Sequence, residues 1–281
     1  MSDPSVVRRA RPLLGTLVEI GAVTIDGASQ ATVDAVDAAF ARIEALQERL
    51  SRFIDASDIG RFNAAPADAC IDVGDDARAV LRAAAALRDA SDGAFDVTLG
   101  SGARAWRLDD RGVHKFGDAV RIDLGGIAKG HAVDCAVATL EACGVASGWV
   151  NAGGDLAAFG PEPHAVHIRH PRNPARLACH VDVANEALAS SARRFDPFYG
   201  AATASSAVID PATQRAPEMV DGATVRAPSC VIADALTKIV MIAGAQAGDL
   251  IAHYQASALI MSADGSLQIS SDFHHAVHLA A

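Results

Sequence analysis

A chain of 281 residues that is 51% hydrophobic and 21% charged has enough apolar material to bury a full core, which excludes disorder, collagen and coiled-coil arrays. Its 24 Lys and Arg against 34 Asp and Glu give a formal net charge of -10, which argues against a general nucleic-acid binder. An anionic ligand must then be held by a local pocket of cations and backbone N–H groups.

Residues 1–11 are polar and carry Arg8, Arg9 and Arg11; with no apolar run of signal-peptide length, the expectation is a cytoplasmic protein without membrane insertion. A first strand is predicted over 13–20. From Ser29, a candidate cap, the apolar residues Val33, Val36, Phe40, Ile43, Leu46 and Leu50 recur at three- and four-residue spacing, the mark of a long amphipathic helix. A second helix spans 75–90, opening on two acidic residues. A short strand over 120–124, a Gly125-Gly126 turn and a helix over 127–143 follow, the last stopping at Gly144. Strands are then predicted near 147–151, 155–159, 165–169, 179–183, 187–190 and 223–227, a helix over 229–243, and strands at 258–261 and 267–269. Segment 192–204 has little regular pattern and reads as a connecting loop or a flap.

Five cysteines without a CxxC pair argue against a disulfide framework or a thiolate zinc site and suit buried thiols packed as small hydrophobes. His164, His167 and His170 recur every third residue, followed by His180 and by His274, His275 and His278. Spacing of three along a strand puts neighbours on opposite faces, so no metal cluster is expected there.

The stretch Asp123-Leu124-Gly125-Gly126-Ile127-Ala128-Lys129-Gly130 combines a strand end, a double-glycine turn and a helix start carrying a lysine. Such a turn is an anion cradle, because glycine admits close approach, the helix end offers N–H groups and the ammonium adds charge. It is neither a P-loop nor GxGxxG, and taken alone it leaves a phosphate site and a structural turn both open. Asn151-Ala152-Gly153-Gly154-Asp155 repeats the pattern of paired glycines beside an acid. Asp234, Thr237 and Lys238 share one side of a helix, an arrangement that reads either as a hard-cation site or as an ordinary surface ion pair.

In chain order these segments resemble the flavin transferase family named ApbE, the FAD:protein FMN transferases. The resemblance rests on Leu14-Gly15-Thr16, 50–53 with 58–63, 93–100 with Trp106, 123–134, 151–160 and 223–237, so it covers nearly the whole chain. It implies an α+β fold, a single two-lobed domain over 1–281 with mixed, mainly antiparallel sheets, packed helices and a flavin cleft between the lobes. It further implies that FMN passes from FAD to a Ser or Thr hydroxyl of a partner protein with release of AMP, Mg²⁺ sitting at the pyrophosphate. By motif match, Leu14, Phe53, Ala94, Phe95, Asp96, Asp123, Lys129 and Val208 line the FAD site, Lys129 also stabilises charge, and Gly126, Asp234 and Thr237 hold the metal. Two positions depart from the family pattern. Ala207 replaces the family's acid–base His, leaving Asp210 or a residue of the His-rich region as a substitute, and Lys238 replaces a metal-contacting Thr; Gln214 also stands for a Gly. Either Lys238 supplies the charge of Mg²⁺ or a weakened metal site survives on Asp234 and Thr237. The departures also leave open an FAD-binding paralogue without transferase activity, or a slow FAD pyrophosphatase.

Overall fold

The computed structural model describes residues 5–24, 29–193 and 208–280. Strands β1 (Ser5–Leu13) and β2 (Thr16–Thr24) form an antiparallel hairpin. The strand expected over 13–20 therefore straddles a turn, in which Leu14 and Gly15 both take positive φ, 55° and 70°. That conformation is unfavourable for Leu14, and the Leu14 N–H is anchored by donating to Gln47 Oε1 at 2.5 Å.

Helix α1 (Gln30–Leu50) begins at the expected cap, where Ser29 Oγ accepts the Thr32 N–H at 3.2 Å, and it buries Val36, Phe40, Ile43 and Leu46. Next come α2 (Asp58–Ala64), β3 (Cys70–Ile71), α3 (Asp75–Ala90), β4 (Trp106–Asp109) and β5 (Gly112–Lys115). The strand expected over 120–124 is irregular backbone instead. Its hydrogen bonds are met by a side chain: Asn63 Nδ2 donates to Ile122 O at 2.9 Å and Asn63 Oδ1 accepts the Ile122 N–H at 2.7 Å. An amide that imitates a neighbouring strand satisfies the segment without a ladder.

Helix α4 (Ala128–Ala142) leads into β6 (Gly148–Ala152), β7 (Asp155–Phe159), β8 (His164–His170), β9 (Asn173–Val183) and β10 (Glu186–Ala192). After the undescribed residues 194–207, which include most of the expected loop or flap, come β11 (Val220–Ala227), α5 (Cys230–Ala243), α6 (Gly248–His253), β12 (Ser257–Ser262), β13 (Leu267–Ile269) and β14 (Val277–Leu279). Among the described residues three sheets form, with orders β1-β2-β6-β7-β10-β11-β12-β13, β14-β9-β8 and β3-β5-β4. Each pairing there is antiparallel, and none of these three sheets closes into a barrel.

Alternation along the large sheet builds two cores. Val150, Ala157, Ala189 and Val225 face the helices, whereas Leu156, Leu188 and Leu259 meet Ile168, Val181, Val183 and Phe273 of the opposite layer. The apolar run Cys230–His253, of mean hydropathy 1.5, is long enough to cross a membrane by length and composition; here its first part, α5, packs against α4, β10 and β11. The α4–α5 approach requires glycine at one point, since a Cβ on Gly130 would lie 2.3 Å from the Cys230 carbonyl oxygen.

Candidate functional site

The double-glycine turn forms one wall of a cleft of about 420 Å³. The opposite wall is the hairpin tip, Leu14 and Gly15, with the end of α1 and the Arg52-Phe53 segment after it. Asp123 holds both walls: Oδ1 accepts the Gly125 N–H at 2.8 Å and Oδ2 meets Arg52 Nε at 3.0 Å. The Arg52 guanidinium in turn lies 4.3 Å over the Phe53 ring, a cation–π contact that leaves this ring 80% exposed at the mouth.

Lys129, in the first turn of α4, also lines the cleft. Its ammonium contacts Asp155 Oδ2 and lies 3.8 Å from Asp234 Oδ2. Lys238 contacts the other Asp234 oxygen. Two lysines and two buried aspartates thus alternate in one cluster, with Asp234 at 0% and Asp155 at 2% exposure. Burial alone would lower the Lys129 ammonium, but Asp155 and Asp234 outweigh it and hold the group above the usual lysine range. Burial pushes the Asp155 carboxyl up, and the neighbouring Asp234 charge pushes it further. Burial opposes ionisation of Asp234 too, yet Lys129 and Lys238 together keep its carboxyl below the ordinary value.

The surface-pair reading of Asp234 and Lys238 is therefore corrected: the pair is interior. A glycine is set beside it, for a Cβ on Gly126 would stand 3.5 Å from the Phe95 ring and 3.7 Å from Lys238 Cε. The residues expected to hold Mg²⁺ do come together, but the side-chain oxygens of Asp234 and Thr237 are engaged. Asp234 Oδ2 accepts the Gly130 N–H at 3.1 Å, Oδ1 contacts Lys238, and the Thr237 hydroxyl donates to the Asp234 carbonyl at 2.7 Å while pairing with Ser191 Oγ at 2.8 Å. As it stands, this donor set does not fit a divalent cation.

Of the expected FAD-site residues, Leu14, Phe53, Asp123 and Lys129 line the cleft, and Phe95 packs behind it at Gly126. Ala94 lines a separate cavity with Ile239, Leu250 and His253. Asp96 spends its carboxylate on its own turn, accepting from the Thr98 N–H and hydroxyl and from the Gly100 N–H at 2.8, 2.6 and 3.1 Å. Val208 is buried, and Ala207 lies outside the described residues. Asp210 accepts from the Ala212 N–H at 2.9 Å and the Thr213 hydroxyl at 2.8 Å, so it too holds a turn and is not among the residues lining the cleft. Asp155 and Arg52 were not among the expected site residues. Asp155 had a signal, the acid after paired glycines; Arg52 had none, because only folding brings it to Asp123.

The turn, cleft and half-buried lysines sit in a chain that matches the ApbE family over residues 14–116 and 107–260. The chain belongs to the ApbE family. A FAD:protein FMN transferase of Rhodobacter capsulatus is 33% identical over 135 residues, which are 47% of this chain and 26% of that protein; the match spans about a quarter of that relative's length. Among solved structures, the ApbE protein of Thermotoga maritima superposes with a TM-score of 0.86 at 23% identity, covering 97% of this chain and 99% of that one. The flavin transferase ApbE of Vibrio cholerae gives 0.82 at 22%, covering 97% and 99%. These structures establish a shared fold, in agreement with the α+β, mainly antiparallel architecture expected from the resemblance.

Proposed function

We propose that this ApbE-family chain transfers FMN from FAD to a Ser or Thr hydroxyl of a partner protein. The observation that carries the reading is Lys129, an ammonium kept charged by two carboxylates yet open to the cleft beside the glycine turn. The acceptor oxygen bonds to the FMN-side phosphorus, the bond to the AMP phosphate oxygen breaks, and the hydroxyl proton ends on a phosphate oxygen of the products. Such transfers pass through loose transition states in which positioning and charge stabilisation carry most of the catalysis. Lys129 supplies that charge, and the Arg52–Phe53 pair supplies an aromatic wall at the mouth. No proton is routed through Asp210, whose carboxylate is occupied.

The reading gives Lys238 the part of the cation. Two ammonium groups face two carboxylates, so the cluster is electrically balanced before an anion arrives, and burial pushes one of those carboxyls toward its neutral form. The cytoplasmic location and the Ser/Thr acceptor belong to the same proposal.

The test is mass spectrometry of Ser- and Thr-containing peptides incubated with the protein and FAD while AMP is followed. A mass gain equal to FMN, matched by AMP, is expected, with Lys129→Ala slower by about 10²–10³, the usual loss for one charge-stabilising donor. AMP without an adduct, or neither product, would overturn the transfer reading.

A further inference from the structure

Three histidines, His167, His180 and His278, meet on the outer face of the three-stranded sheet. Within β8, His164, His167 and His170 do not share one face, but neighbouring strands bring others beside His167. His167 of β8 lies directly opposite His180 of β9, and His180 lies directly opposite His278 of β14. Three histidines therefore form one row across three adjacent strands. Asp182, two residues after His180, points to the same face.

The rings are already gathered. His180 and His278 stack at 4.4 Å between centroids with 12° between planes, and His167 stands 5.9 Å from His180. His278 Nε2 lies 3.0 Å from Asp182 Oδ2, and donor atoms of His180, Asp182 and His278 all fall within 4.8 Å of one another. The platform beneath is firm, because Cys179, Val181 and Val183 alternate with these residues and are buried in the smaller core. The cluster is also open to ions, with side-chain exposures of 47% at His278 and 40% at Asp182. The other His, Cys and Asp grouping, Asp76, His131 and Cys135, is a weaker candidate: Arg42 holds both Asp76 oxygens, at 2.5 and 3.0 Å.

We infer that His180, His278 and Asp182 bind a divalent transition-metal ion of the zinc class, with His167 flanking the fourth position. Two imidazoles and one carboxylate are the ligand set that such ions accept, whereas Mg²⁺ favours oxygen alone. Bound there, the ion would tie β14, a three-residue edge strand, to β9. The site lies on the sheet that covers the far face of the large sheet from the helices, so it is independent of the flavin reading.

Equilibrium dialysis of the metal-stripped full chain against micromolar Zn²⁺ tests this. One equivalent should bind to the wild type and to His274→Ala, and affinity should fall at least tenfold in both His180→Ala and His278→Ala. To read the ligands without any substitution, Cu²⁺ bound to the wild type is also examined by electron paramagnetic resonance, where coupling to two imidazole nitrogens is expected. No bound equivalent, equal affinity in His180→Ala, loss in His274→Ala, or a Cu²⁺ spectrum without nitrogen coupling would each overturn the assignment.

Discussion

An ammonium set between two buried carboxylates keeps its proton against the cost of burial, and that places a fixed cation at the cleft through Lys129. Its strength depends on the whole cluster, because each charge there is compensated by another in a low-dielectric setting. Replacing Asp234 with Ala leaves Lys129 and Lys238 facing Asp155 alone. The expected loss is about 3–5 kcal/mol of stability, the usual effect of unpairing a buried charge, measured by urea unfolding; a loss below about 1 kcal/mol would show that the cluster is hydrated and weakly coupled. Residue types were legible here before geometry was. The motifs named Lys129, Asp234, Thr237 and Lys238, but in one dimension Asp234 and Lys238 look like any surface pair at i and i+4. Their interior position depends on α5 being packed between α4 and the large sheet, which no local pattern states.

Periodicity served the elements best where an apolar face is long. Helices α1, α3, α4 and α5 all lie within a residue or so of their predicted spans because each buries a continuous stripe. The reading failed where side chains replace ladders, as Asn63 does for 120–124, and where a turn interrupts an alternating run, as Leu14-Gly15 does. Strand β14 (Val277–Leu279) was missed because it reads as part of the histidine group 274–278. One element contact makes a pH prediction. Asp134 of α4 accepts the Cys230 and Val231 N–H groups at the start of α5, at 2.7 and 2.9 Å, and burial pushes its carboxyl up to about 6. An unfolded aspartate releases its proton near about 3.9. Between about pH 4 and 6 the native chain therefore holds more protons than the unfolded chain, so this carboxyl lowers native stability as pH rises through that window. Relative to Asp134→Asn, the wild type should lose about 2 kcal/mol from pH 4 to pH 6, read from urea unfolding at several pH values. A difference that stays constant with pH would contradict the assignment.

For the whole molecule, a net charge of -10 means that an anionic flavin nucleotide meets an unfavourable overall field and must be held by local charge. The architecture concentrates that charge: the hairpin tip, the end of α1 and the start of α4 meet at the cleft, and α5 brings a second lysine beneath it. Topology was legible only through the family resemblance, since strand order depends on long-range pairing that alternation does not encode. In the proposed function, two lysines serve where a hard cation would otherwise be needed. The direct measurement is FAD affinity of the metal-stripped protein, by flavin fluorescence, in EDTA and in millimolar Mg²⁺. Equal affinity in the two conditions, within about twofold (less than ~0.5 kcal/mol), is the predicted result; tightening by Mg²⁺ of tenfold or more would contradict it.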